Sequence, residues 1–387
     1  MARESRIDAL RGLAVFGILL VNAWGFVYGY SLHHTPALDA PMAASDQWVV
    51  LLVAAFAEQK FYPIFAFLFG AGFALQTGRR RAEGPALAAI RATYLRRIRW
   101  LLAVGVLHGT LLWFGDILTA YALLGLWLAQ YAGRRLAALR RALWVLVAIN
   151  AVVYLYYGLL VAAAAYPAIE QEVAAIADGQ RMHAIYGQGG WLAIARARWA
   201  EYGMNLAGLT IFLPRLALLA MLGALAARTG MLTRPWRHRH LWRRVALAAL
   251  AVALPLNLWA GLVAVQTAGH PFVPAPFAGL ANALLELAGP MLGAGYVAAF
   301  MLAGPHVARW LAPVGRMALT NYLMQSVLLM LVLQGVGLGL GRTVSHAGLM
   351  LLAGAIMLVQ LAWSHWWLAR HRLGPVEWLW RRYALAG

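Results

Sequence analysis

His108 and Asp116 stand eight residues apart in the stretch His108-Gly-Thr-Leu-Leu-Trp-Phe-Gly-Asp116. A carboxylate beside a histidine fixes its tautomer and stabilises the imidazolium, which makes a usable general base. The plain alternative is a histidine bonded to a neighbouring helix, with Asp116 capping the helix that follows. His33 and His34 form a second pair, in a polar segment whose nearest acid is Asp39. With no third histidine nearby, a metal site is not expected there. Asp8 and Arg11 are three apart and share a helix face, so they can pair, and Asn22 falls three full turns beyond Arg11 on that same face.

Further polar groups interrupt apolar runs. Lys60 is the single lysine against 31 arginines, so it reads either as an interfacial anchor or as a lysine kept for its chemistry. Arg215 follows Pro214 inside a long apolar run, and Glu286 is its best partner by depth. Asn321 and Gln325 are four apart and share a face. Both pairs also read as interhelical glue, the commoner use of such groups.

The elements that must position these residues follow from composition. The chain has 387 residues, 63% hydrophobic, with a mean hydropathy of +0.69 and 12% charged residues. Its apolar runs reach the roughly 20 residues that cross a bilayer as a helix, and none shows the alternation of a barrel strand. The predicted fold is all-α: a polytopic membrane helix bundle of about ten transmembrane helices plus one interfacial helix. The spans are expected at 7–30, 61–77, 100–114, 117–131, 143–165, 202–227, 245–268, 277–302, 318–340 and 348–368, with the interfacial helix at 47–57. The whole of 1–387 reads as a single integral membrane domain. Its outer loops are 31–45 and the longest, 166–200, and 228–244 is a basic inner loop.

A net charge of +19 sits in short clusters between apolar runs, which is the pattern of inner loops and not of a nucleic-acid surface. Ten spans with an inner N-terminus put the clusters at 79–99, 134–141, 228–244, 309–316 and 370–382 on the cytoplasmic side, with both termini. The first apolar run is too long for a cleaved signal. There is no cysteine, which removes disulfides and thiolate metal sites.

Five ordered stretches carry a resemblance: Arg6-Ile-Asp-Ala-Leu-Arg-Gly12, Lys60-Phe-Tyr-Pro-Ile-Phe-Ala-Phe-Leu-Phe-Gly70, His108 through Leu118, Gly315-Arg-Met-Ala-Leu-Thr-Asn-Tyr322 and Gly374-Pro-Val-Glu-Trp378. Together they resemble the YeiB-like family of bacterial inner-membrane proteins, itself related to the transmembrane acyltransferase superfamily that includes heparan-alpha-glucosaminide N-acetyltransferase. The middle of the chain, roughly 130–300, agrees in architecture only.

The resemblance implies an acyl-CoA donor, most simply acetyl-CoA, entering from the cytoplasm, and an acyl group passed to an acceptor on the outer face. It gives His33 a catalytic role, because a lumenal histidine occupies that spacing after the Asp-x-x-Arg-Gly turn in the lysosomal enzyme. His108 with Asp116 is the first choice for the base and His33 the rival; Asp8, Arg11, Asn22, Lys60 and Asn321 are expected to shape the donor path. The expected partners are membrane lipids, a small-molecule or glycan acceptor and, as an option, a second copy of the chain; no metal and no nucleic acid are expected. The alternative is a transporter or exporter whose central polar cavity Arg215 and Glu286 line.

Overall fold

The computed structural model describes residues 2–29, 42–163, 169–269, 275–303 and 305–385. Among them there is no strand, and the chain is helical almost throughout. Among the described residues, seven helices are long and apolar enough to cross a membrane, or eight if one bent pair is a single span. The other three of the ten expected spans fall outside that test of length and apolarity in single helices, for two local reasons. The third and fourth expected spans form a hairpin of α4 (Leu87–Leu111) and α5 (Leu118–Leu128). Arg91, Arg96, Arg97 and Arg99 occupy the first half of α4, and α5 has only 11 residues. The ninth qualifies only as a pair, α12 (Pro305–Arg316) with α13 (Ala318–Leu333), bent by 76° at the break between them.

Close backbone crossings hold the bundle together. Helix α1 (Ala2–Tyr28) lies along α12, and the two touch through glycines drawn from two of the sequence motifs. A Cβ on Gly12 would overlap the Leu311 carbonyl oxygen, and one on Gly315 the Asp8 carbonyl oxygen. Helix α3 (Phe61–Ala82) crosses α8 (Trp191–Arg228) in the same way, Gly70 against Ala220 and Gly223 against Phe67. In lipid there is no hydrophobic drive between helices, so small residues that let backbones approach supply the packing.

Helix α2 (Ala44–Phe56), the expected interfacial helix, packs on α10 (Leu254–Gly269) and α14 (His346–Arg370) while turning Trp48 and Leu52 outward. Four residues separate it from α3, and Lys60 closes that break. Helix α9 (Arg239–Ala248) runs into α10 through a π-turn at Ala249–Ala253. Pro255 cannot donate to a carbonyl one turn back, and the widened turn absorbs the mismatch. The expected loop 166–200 holds α7 (Ile169–Gln188) and the start of α8. Helices α6 (Leu136–Ala163) and α11 (Ala275–Leu302) complete the outer wall.

The last helix, α15 (Pro375–Leu385), folds back on α4 and α13. Glu377 accepts from the Leu319 and Thr320 amides at 2.8 and 3.1 Å and from the Thr320 hydroxyl at 2.5 Å, capping α13 from outside its own chain segment. A side chain at Gly374 would overlap that carboxylate. The first and last motifs thus meet at one end of the molecule, where Asp8 and Glu377 line the same cavity.

Gly315→Ala is expected to lower stability by about 1–3 kcal/mol, because backbone cannot yield to the added methyl. Gly354→Ala, which meets nothing within 4 Å, should leave melting unchanged. Thermal denaturation in detergent compares the two, and equal melting would contradict the α1–α12 crossing.

Candidate active site

A cavity of about 830 Å³ opens between α1, α3, α4, α5, α13 and α15. Arg11, Arg79, Arg80, Arg97, Arg316 and Arg381 line it, against Asp8, Glu83 and Glu377. That is six positive charges to three negative, and two of the acids are already engaged. Asp8 pairs with Arg11 at 2.8 Å, and Glu377 caps α13. Arg97 lies 4.5 Å above the Trp380 ring and feels Arg80, Arg11 and Arg381 as like charges. The Tyr94 side chain lines the same cavity and is buried, and its hydroxyl has no hydrogen-bond partner among the described residues. Clustered arginines that repel one another, beside an orphaned hydroxyl, suit an anion that accepts several hydrogen bonds.

Along α1 the lining runs from Asp8 to Ile18, roughly 15 Å of helix at 1.5 Å per residue. Away from the arginines it becomes apolar, with Phe65, Leu68, Ile98, Leu101 and Leu118, and at Tyr121 and Tyr322 it meets two aromatic rings.

Directly past Tyr322 lies the predicted base. The His108 and Tyr322 rings are 5.0 Å apart. His108 is in the last turn of α4, and Asp116 lies in the turn that leads to α5. His108 Nδ1 is 2.8 Å from Asp116 Oδ1, and the same carboxylate accepts from the Leu118 and Thr119 amides at 3.1 and 2.8 Å. The expected histidine contact and the expected helix cap are both made by this one side chain. Because the carboxylate is an acceptor, the Nδ1 hydrogen is assigned to that contact, which leaves Nε2 as an acceptor. Nε2 sits 2.8 Å from the Ser326 hydroxyl on α13. His108, Asp116 and Ser326 are each buried.

Aromatic and polar side chains pack at the end of the site opposite the arginines. Trp113 stacks on Phe26 at 4.3 Å. Asn205 on α8 donates to the Phe114 and Asp116 carbonyls at 3.1 and 3.2 Å, and the hydroxyls of Tyr202 and Thr119 are 2.9 Å apart. Above this plug, Arg198 is buried and donates to the Leu111 carbonyl and to Gln334, while Tyr186 donates to Glu201 at 2.5 Å. Burial first, and then the Glu201 charge, push the Tyr186 hydroxyl well above its ordinary pKa and keep it a donor.

The remaining expected site residues divide. Asp8 and Arg11 line the cavity, whereas Asn22, Lys60 and Asn321 do not. Asn22 lies half-buried on α1. Lys60 is wholly buried and donates at 2.6 Å to the Ala54 carbonyl near the end of α2. Asn321 donates to Val314 and Ser364 at 3.1 and 3.0 Å, and Gln360 donates to Gln325's neighbour on that face, the Asn321 carbonyl, at 2.8 Å. His33 and His34 lie outside the described residues. Arg215 and Glu286 do pair, as depth suggested, and Tyr62, Tyr154 and Gln59 complete their hydrogen bonds. They line no part of the cavity.

Ser326, Tyr322 and the distribution of the cavity arginines escape a linear reading. Tyr322 and Ser326 are four apart, one position along from the Asn321–Gln325 row, so the periodicity was visible. A serine and a tyrosine inside an apolar helix carry no signal until the partner helix is known.

Fold and site define a multi-pass helical membrane protein with an internal charged cavity and a buried polar chain at its end. Residues 226–387 match the family described as Protein of unknown function (DUF418). YeiB of Escherichia coli strain K12 is 30% identical over 406 residues, covering all of this chain and 97% of the relative. YxaH of Bacillus subtilis strain 168 is 30% identical over 399 residues, covering 97% of this chain and 92% of the relative. The 39.9 kDa protein of the amylase 3′ region in Bacillus acidopullulyticus is 28% identical over 383 residues, covering 98% of this chain and 93% of the relative. The chain belongs to the YeiB-like family. No solved structure matches it.

Asp116→Ala removes a helix cap and leaves a buried histidine without its partner, so it is expected to cost about 2–4 kcal/mol. Asp116→Asn retains an acceptor for the cap and should recover most of that loss. Thermal unfolding of the two variants side by side measures the difference, and equal destabilisation would count against the double role of the carboxylate.

Proposed function

We propose that this protein is an acyl-CoA-dependent membrane acyltransferase of the bacterial inner membrane, taking an acyl group, most simply acetyl, and delivering it to a hydroxyl or amine acceptor at the outer face. The observation that carries this reading is the cavity itself. It sets an excess of arginines at one end, an apolar passage behind them, and His108–Asp116 one aromatic ring beyond its far end. Phosphates of a nucleotide thioester match the arginines, and the uncharged pantetheine arm matches the apolar passage. The volume falls within the roughly 300–1,000 Å³ of ligand pockets. His108 Nε2 is the base, and Asp116 orients it and stabilises the imidazolium.

The arginine-rich end faces the cytoplasm on the positive-inside argument, which puts both termini there and brings the donor in from that side. The superfamily to which YeiB-like proteins are related supports the same direction of transfer. A carrier reading draws less support, since Arg215 and Glu286 answer each other and three neighbouring side chains instead of lining an open path.

Acetyl-CoA at micromolar concentration is expected to raise the melting temperature of the detergent-purified chain. Arg80→Ala and Arg97→Ala should each weaken that binding about tenfold, with the loss growing smaller as salt is raised. His108→Ala should keep the stabilisation and lower release of free CoA by about 10²–10⁴-fold. Absence of any acetyl-CoA shift in the wild-type chain would overturn the proposal.

A further inference from the structure

We infer that Ser326 is a nucleophile that carries the acyl group covalently, so that transfer proceeds through an acyl-serine in two half-reactions. The inference rests on the donor reading above and goes beyond it by assigning a residue and an intermediate.

Its basis is the unbroken chain Asp116–His108–Ser326, with contacts of 2.8 Å at both ring nitrogens. The Asp116 carboxylate is itself held by two backbone amides. With the Nδ1 hydrogen on the aspartate side, the serine proton points at Nε2, which is the geometry that activates a hydroxyl for attack on an acyl carbon. A serine that serves only its own helix gives its proton to the carbonyl four residues back. Here that carbonyl, Tyr322, is 3.5 Å away, at the limit of a hydrogen bond, so the imidazole is the better acceptor. Tyr322 is also the side chain between Ser326 and the cavity: it lines the cavity, and its ring lies against His108.

An acyl-serine lets donor and acceptor occupy the site in turn. Phe26, Trp113, Tyr202 and Asn205 pack on the side opposite the arginines. In the first half-reaction Ser326 Oγ attacks the thioester carbonyl, its proton passing to His108 Nε2. The C–S bond breaks, and the thiolate leaves as free CoA with that proton. In the second half-reaction His108 takes a proton from the acceptor hydroxyl or amine, whose oxygen or nitrogen attacks the ester. The C–O bond to Ser326 breaks, and the serine recovers its proton from His108.

Radiolabelled acetyl-CoA and no acceptor, added to the detergent-purified full-length chain, test this. The expected result is label that survives denaturation, is released by alkaline hydroxylamine, and maps by mass spectrometry to Ser326. A stoichiometric burst of free CoA should accompany it. Ser326→Ala should lose the label while still being thermally stabilised by acetyl-CoA, and Ser326→Cys should trap a thioester released by neutral hydroxylamine. A merely structural hydrogen bond between α4 and α13 produces neither signature. Acetyl-CoA binding with no label on Ser326 overturns the acyl-serine and leaves the donor reading standing. Wild-type chain that neither binds acetyl-CoA nor takes label overturns both.

Discussion

The carboxylate of Asp116 accepts from two backbone amides at the start of α5 and from the imidazole of His108. A helix that begins inside apolar surroundings has amide groups with no intrahelical partner, and no water reaches them. Asp116 answers them and thereby fixes where the α4–α5 hairpin turns. The same contact locks the imidazole, which in turn reaches Ser326 on α13. One acid thus ties three helices together, and removing it would leave both a helix start and a histidine unanswered in a medium that penalises each. Structural need and chemical capability coincide at this residue, and its burial alone does not choose between them.

The membrane-buried polar groups outside this chain follow the same rule with a different outcome. Arg215 and Glu286 satisfy each other and recruit Tyr62, Tyr154 and Gln59. Gln325 and Gln360 pair at 2.8 Å, and Asn321 bonds Ser364. Lys60 spends its ammonium on the Ala54 carbonyl, one of the acceptors left over at the end of α2. A compact ammonium fits there, where the planar fork of a guanidinium needs more room. That gives a structural reason for a lone lysine in a chain that otherwise uses arginine. The cavity arginines differ from all of these, because they outnumber the acids beside them.

What was legible in the sequence follows from which interactions are local. Helix class and membrane residence came through because hydrophobic runs are a property of consecutive residues. The Asp8–Arg11 pair and the His108–Asp116 pair were legible because their members lie within one or two turns of each other. Three expected spans depart from straight apolar helices, through the arginines in the first half of α4, the shortness of α5 and the 76° bend at α12–α13. The five motifs were visible as strings, but their meaning was tertiary: Gly12 exists for Gly315, and Gly374 makes room for Glu377 to cap α13. Ser326 was invisible for the same reason, since its partner is 218 residues away.

Placement of the glycines explains why the cavity persists instead of collapsing. At the α1–α12 and α3–α8 crossings the backbones touch, so these pairs cannot move closer. Helix α15 is pinned near its start by Glu377 to the start of α13 and at its middle by the Trp380 indole to the Arg97 carbonyl at 2.8 Å. The walls are therefore held by contacts made outside the cavity, and the arginines need not bond one another to keep it open. Their mutual repulsion is tolerated because rigid helices absorb it, and an anion entering between them relieves it. Binding energy at such a site comes from charge already in place, which is the preorganisation that a transfer reaction at the far end would draw on.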